Sequence, residues 1–189
     1  MTKPNTRSRF AARILRSKKA AAASPGAFIV LPNAVSAKLP RRGRTTVDGT
    51  LNGTAFTAVL EPDGKKSHWL PLDEALLKAA GAACGEEAQF EIAAAARERE
   101  PEVPQDFLAA LATSPDARTV WDATTTVARI DWIHWITSAK QDKTRAKRIG
   151  DACDMLASGK KRVCCFDPSG FYSKAFSAPE SDADTLEGA

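Results

Sequence analysis

Residues 126–162, TVARIDWIHWITSAKQDKTRAKRIGDACDMLASGKKR, are the longest strongly periodic stretch of the chain and the most cationic part of its second half. Their spacing predicts a helix over residues 142–159. Asp142 is placed to cap it, Gly159 to end it, and Lys160, Lys161 and Arg162 to sit beside the negative end of its dipole. Ala146, Ile149, Cys153 and Leu156 fall on one side, with Ala152 on the flank. Lys140 and Lys147 point away from this stripe, whereas Arg145 projects on the apolar side. A charge there is costly unless it is paired or at an opening, so an ion-paired packing arginine is favoured over one that contacts an anion.

The preceding residues, 126–140, predict a second helix with Thr126 as its cap. Ile130, Ile133 and Ile136 line one side and Trp132, Trp135 and Ala139 another, so apolar residues cover most of its circumference and it should be central and buried. His134, between the two tryptophans, reads as a hydrogen-bonded packing residue, and a catalytic pair with Asp131 is not expected. Further helices begin near Pro104, with Phe107, Leu108 and Leu111 on one face, and at Ser114-Pro115, with Val120 and Trp121.

Upstream of residue 97 the hydrophobic period changes from helical to alternating. Short strands are predicted over residues 7–15, 27–31, 44–51, 54–60, 67–70 and 88–94. Asn52-Gly53 is the strongest hairpin signal, because a type I′ turn needs positive φ at both central residues. Pro62-Asp63-Gly64 makes a second turn. Asn33 should cap a short helix over 33–39, and Asp73 one that Gly81 ends. His68 should lie on the polar side of its strand. Six short strands favour a closed barrel, since closure removes edges.

The expected fold class is therefore α+β: a small six-stranded β-barrel over residues 7–96 followed by a helical module over 102–162. The charged run RERE ending at Pro101 reads as a solvated connector, residues 163–166 as an extended segment on the helices, and residues 177–189 as a disordered acidic tail.

The net charge of +4 conceals a strong alternation. Residues 1–47 hold eleven basic residues and no acid, residues 48–139 seven basic and fifteen acidic, and residues 140–162 eight basic and three acidic. Such a pattern suits internal complementarity or an anion-binding face. The four cysteines, 84, 153, 164 and 165, form no CxxC pair, and with two histidines no zinc spacing arises. The vicinal Cys164-Cys165 could act as a redox switch, but such pairs are more often two reduced thiols. No apolar run is long enough to span a membrane, and no phosphate loop, GxSxG, HExxH or Walker pattern is present. No cofactor, metal or catalytic residue is expected.

The run Trp135-Ile136-x-x-Ala139-Lys140-x-x-x-Thr144-Arg145-x-x-Arg148-Ile149, followed by Met155-Leu156 and Gly159-Lys160, resembles the YdeI/OmpD-associated family, also labelled bacteriocin-protection. Val47-x-Gly49-Thr50-x-Asn52-Gly53-x-x-Phe56, with Gly85-Glu86, resembles the small β-barrel domain of unknown function that often precedes it. Together the resemblances span about residues 8–162. They imply bacterial origin and a link to envelope stress or antimicrobial-peptide protection, and they bring no catalytic residues.

The expectation is a cytoplasmic, non-catalytic binding or stress-protection protein whose partner is a protein or an anionic ligand. Trp135, Lys140, Thr144, Arg145 and Arg148 are its candidate ligand-binding residues. The alternative is a nucleic-acid binder using the basic helix, with Lys143, Lys147, Lys160, Lys161 and Arg162 as polyanion contacts. A further alternative is an enzyme with an interdomain site around His68 or His134.

Overall fold

The computed structural model describes residues 7–18 and 26–182. These divide into two units: one runs to Arg97 and is joined again from Ser169, and the other is Glu98–Pro168.

The first unit is the barrel. Its elements are β1 (Ser8–Arg13), β2 (Leu15–Arg16), β3 (Ala27–Val30), α1 (Asn33–Ser36), β4 (Thr45–Leu51), β5 (Thr54–Pro62), β6 (His68–Leu72), α2 (Glu74–Ala79) and β7 (Glu87–Ala94). All pairings are antiparallel, in the order β1-β7-β4-β5-β6-β3-β2. The two outermost members are successive parts of one chain segment, so the row of strands returns on itself and nearly closes. The expected first strand is thus two strands, broken at Ile14. That residue is fully buried in the barrel core. Its N–H donates to the Glu86 carbonyl at 2.9 Å and its carbonyl accepts from the Gly85 N–H at 2.7 Å. The break therefore leaves no buried backbone group unpaired, and it lets one segment serve both ends of the sheet.

The hairpin forms where the sequence predicts it. Asn52 and Gly53 have φ of 46° and 89°, and the register pairs Leu51 with Thr54. Gly49 marks a close approach between strands, since a Cβ there would lie 2.4 Å from the Glu91 carbonyl oxygen. Asp73 caps α2 by accepting from the Leu76 N–H at 2.6 Å. Asn33 does not cap α1. Pro32 holds the cap position with no side-chain bond, and the helix is shorter than predicted.

His68 corrects its expected placement. It is fully buried, not on a polar face. Its Nε2 lies 3.1 Å from the Gly43 carbonyl, which can only accept, so Nε2 carries the proton. Nδ1 then accepts from the Ser36 hydroxyl at 2.8 Å. Both ring nitrogens are satisfied, which is why a polar ring sits inside the barrel without large cost.

The acidic tail expected from residue 177 is also corrected at its start. The Lys18 N–H donates to the Glu180 carbonyl and the Asp182 N–H to the Arg16 carbonyl, each at 2.9 Å. Ser181 bridges Ser17. Before this, the Phe171 ring lies between Lys66 and Lys174, whose Nζ atoms are 4.4 and 4.5 Å from its centroid. The chain through Asp182 is therefore fastened to the barrel. The expectation for residues 183–189 lies outside the described residues.

The second unit holds α3 (Gln105–Ala112), α4 (Pro115–Asp122), α5 (Thr126–Thr137) and α6 (Asp142–Ala157). α6 packs against the other three. Phe107, Leu111, Trp121, Trp132, Ile136 and Leu156 are among its core residues. α5 is as buried as its composition predicts, with Trp132 and Ile136 fully enclosed. Its cap is Thr125, which accepts from the Ala128 N–H at 3.2 Å, and not Thr126. α6 is preceded by Gln141 at the cap position, with Asp142 in the first turn. Its far end closes as a Schellman motif: the Gly159 N–H donates to Leu156 O at 2.8 Å and the Lys160 N–H to Met155 O at 3.0 Å.

The apolar stripe of α6 is narrower than predicted. Ile149, Ala152 and Leu156 are buried, Cys153 is half-buried, and Ala146 is exposed. The charged connector is also more than solvated chain. Glu100 accepts from the Arg129 guanidinium and, at 2.8 Å, from the Thr126 hydroxyl, which fixes it beside α5. Among the described residues no helix is long and apolar enough to cross a membrane.

Candidate functional site

The signature residues lie at the end of α5 and along the first half of α6, the stretch where two helices and a short turn must be held together. Arg148 leaves α6 toward the end of α5. Its guanidinium donates to the Trp135 carbonyl and, at 3.0 Å, to the Ser138 hydroxyl. It also lies over the Trp135 ring, 5.4 Å from the centroid. The carbonyls at a helix end have no partner within the helix and carry its negative partial charge, so a cation there is favourable on both counts. Trp135 is half-buried and meets Trp132 edge-on at 6.1 Å.

Arg145 stands one turn before Ile149 on the inward side of α6. It forms a two-pronged ion pair with Asp106 at the start of α3, Nε to Oδ2 at 2.6 Å and Nη2 to Oδ1 at 3.0 Å. The hydrogen bonds from Arg145 hold the Asp106 carboxyl below the usual carboxylate range and raise the arginine in turn. The pair is open to solvent, with side-chain exposures of 27% for Arg145 and 46% for Asp106. An arginine with a planar fork suits a carboxylate or a phosphate equally, so an external anion can compete with Asp106 for it. Thr144 beside it is half-buried and Lys140 is exposed.

The expected polyanion cluster is not assembled as one patch. Arg148 is turned inward, and Lys147 pairs with Asp151 one turn on at 2.7 Å. Lys140 and Lys143 flank the start of α6, while Lys160, Lys161 and Arg162 follow its end. A helix of 16 residues rises about 24 Å, so these are two separate cationic ends. All five are exposed and have no ion-pair partner among the described residues. The unit as a whole, residues 98–168, has eleven basic and eleven acidic residues; it is neutral but strongly polarised along the sequence.

Both histidines are taken up inside their own units. His134 is buried, and its ring stands edge-on to Phe166 at 5.6 Å. Phe166 and Val163 thus lie on the helical unit, as expected for the segment after α6, but the segment is not extended: it turns at Cys164 and Cys165. His68 has the two partners already described. No group of three or more histidine, cysteine or acidic side chains able to hold a metal occurs among the described residues. On the barrel, a groove of about 580 Å³ is lined by Asp48, Thr50, Thr57 and Glu91 among others. Its charged groups are already engaged: Asp48 accepts from Thr57 at 2.7 Å, and Glu91 from Arg7 and Arg9.

Asp106, Ser138 and the Trp135 carbonyl are the partners that reading the sequence does not find. Asp106 looks like an ordinary acid in a first helical turn. Nothing local links it to an arginine 39 positions away. The one usable signal is Arg145 itself, whose position on an apolar stripe requires a counter-charge from elsewhere.

Comparison with known families agrees with the division of the chain. Residues 100–159 match the family described as Bacteriocin-protection, YdeI or OmpD-Associated. Residues 10–92 match a domain of unknown function, DUF1905. No curated protein matches the chain.

Proposed function

We propose, from the match of residues 100–159 to the YdeI/OmpD-associated family and of residues 10–92 to a domain family of unknown function, a non-catalytic binding protein of the bacterial cytoplasm that acts in stress protection against bacteriocins or antimicrobial peptides. The observation that carries the binding reading is the solvent-open Arg145–Asp106 fork. A carboxylate or phosphate on a partner can exchange with Asp106 for the guanidinium. Trp135 and Arg148 serve this surface from behind by fixing the turn between α5 and α6.

The test is survival of a sensitised bacterium under antimicrobial-peptide challenge, with and without the protein. Wild type should protect, and Arg145→Glu combined with Lys140→Glu should not, while circular dichroism shows both folded. Equal protection by the charge-reversed protein would remove this surface from the function. Absence of protection by wild type would remove the protective role.

A second reading, nucleic-acid binding, is favoured by the three consecutive exposed cations Lys160, Lys161 and Arg162. Binding to labelled single- and double-stranded nucleic acid across a salt series tests it. Each phosphate contact contributes about 0.7–0.9 to the slope of log affinity against log salt. Replacing the three cations by glutamine should reduce that slope by about two units or more on the same scale if all three make contacts. An unchanged slope would assign any binding to other residues.

A further inference from the structure

Beyond α6 the chain passes through Lys160, Lys161 and Arg162 and turns at two adjacent cysteines. Both thiols of Cys164 and Cys165 are free and exposed, with their Sγ atoms 3.3 Å apart. The residues on either side are anchored. Val163 packs against the helical core, and the Phe166 ring is set against buried His134. Cys165 has φ of +59°, a left-handed backbone that residues other than glycine, asparagine and aspartate seldom take. In an extended segment adjacent side chains point to opposite sides. Here the left-handed residue between two anchors turns both thiols the same way. A non-glycine residue held in this conformation is the kind of outlier from which a function is argued.

We propose that Cys164 and Cys165 form a chelating dithiol site for a trivalent arsenical. Two alternatives fit the geometry less well. Neighbouring Cα atoms are about 3.8 Å apart across a trans peptide, whereas a disulfide usually spans about 4.4–6.8 Å, so a bond between these two sulfurs is disfavoured and the dithiol persists. Zinc in structural sites takes four ligands at tetrahedral angles, and the described residues assemble no such group around the pair. Trivalent arsenic is pyramidal, with bond angles near a right angle. Two sulfurs on one arsenic therefore stand about as far apart as these do, and the third position needs no protein ligand.

The step is a condensation. An arsenical carrying two hydroxyl groups meets the two thiols. Two As–O bonds and two S–H bonds break, two As–S bonds form, and two waters leave with the thiol protons. Arsenic stays trivalent and neither sulfur is oxidised, so no oxidant or reductant takes part. Neutral thiols suffice. The hydrogen bond with Cys164 raises the Cys165 thiol above its ordinary range, while Lys160 acts in the opposite sense.

The test uses full-length reduced protein and phenylarsine oxide. Intact-mass analysis should show one phenylarsenic group per chain, and titratable thiols should fall from the four cysteines of the sequence to two. Excess monothiol should leave the adduct in place and a small dithiol should remove it. Cys164→Ser and Cys165→Gly should each weaken binding by about 100-fold or more, because chelation raises the effective concentration of the second thiol. Glycine suits the left-handed position, so Cys165→Gly keeps the turn while removing the sulfur. Cys84→Ser and Cys153→Ser should bind as wild type. The proposal is overturned by wild type that forms no adduct, by thiol loss at Cys84 or Cys153 instead, or by unchanged affinity in either vicinal variant.

Discussion

The guanidinium of Arg148 donates to the main-chain carbonyl of Trp135 while lying over the indole ring of that same residue. One arginine thus closes the end of α5 and fixes the turn into α6. Two residues that look like a ligand-binding signature are, at the same time, the means by which two helices are joined.

Replacing Arg148 tests that role. Arg148→Ala should destabilise the helical unit by about 1.5–3 kcal/mol, the range for a hydrogen bond to a charged group, because it strips partners from Trp135 O and Ser138. Arg148→Lys should recover little, since an ammonium cannot stack and bond in two directions as the planar fork does. Thermal unfolding followed by tryptophan fluorescence gives both values. Full rescue by lysine would reduce the role to charge alone.

The Arg145–Asp106 pair should behave differently. It is open to solvent, so a double-mutant cycle with Arg145→Ala and Asp106→Ala should give a coupling of about 0.2–1 kcal/mol, reduced by salt. Because Asp106 is held below the usual carboxylate range, that small contribution is complete above the ordinary carboxylate pKa. It disappears as pH falls through the folded value. A coupling well above this range would show that the fork is a main structural tie and would weaken its case as an anion contact.

His68 makes barrel stability depend on pH at a higher range. Burial lowers its folded pKa from the ordinary 6.5. Below that value the unfolded chain takes up a proton that the folded ring does not, so stability falls as pH drops from 6.5 toward the folded value and is unaffected above it. Urea unfolding at pH 7.5, 6.5 and 5.5 should show this slope. His68→Gln should be less stable at pH 7.5 by about 1–3 kcal/mol, since Ser36 and Gly43 lose well-placed partners, and should lack the slope. The same slope in both proteins would assign it to another group.

At Gly64 the returning C-terminal segment passes close over the barrel backbone. A Cβ there would lie 2.1 Å from the Phe176 carbonyl oxygen, and φ is +69°. Gly64→Ala should therefore loosen residues 169–182 while the rest of the barrel keeps its fold, at a cost of about 1–3 kcal/mol. Limited proteolysis should cut the variant near Lys174 faster than wild type. Unchanged cleavage would mean that the segment accommodates the methyl group.

Gly49→Ala should be more damaging in kind, because the obstruction is a strand backbone, the Glu91 carbonyl, at 2.4 Å. Amide exchange should rise along β4 and β7, whose register passes through this residue. Protection equal to wild type there would show that the strands part without losing their bonds.

The sequence by itself determined the local elements and their division. Alternating hydrophobicity before residue 97 and helical periodicity after it depend only on neighbours in the chain, and so do the Asn52-Gly53 turn, the Asp73 cap and the Gly159 stop. Tertiary structure alone decided what joins distant residues. The break at Ile14 exists because one segment pairs with both β7 and β3. His68 is buried because Ser36 and Gly43 arrive to satisfy it, and Arg145 is tolerated on an apolar face because Asp106 comes from another helix. Residues 177–182 are fastened because the barrel presents Arg16 and Lys18 to them. In each case the deciding partner is remote in sequence. A polar group announces through its position that it needs a partner, but only the folded chain fixes which one it finds.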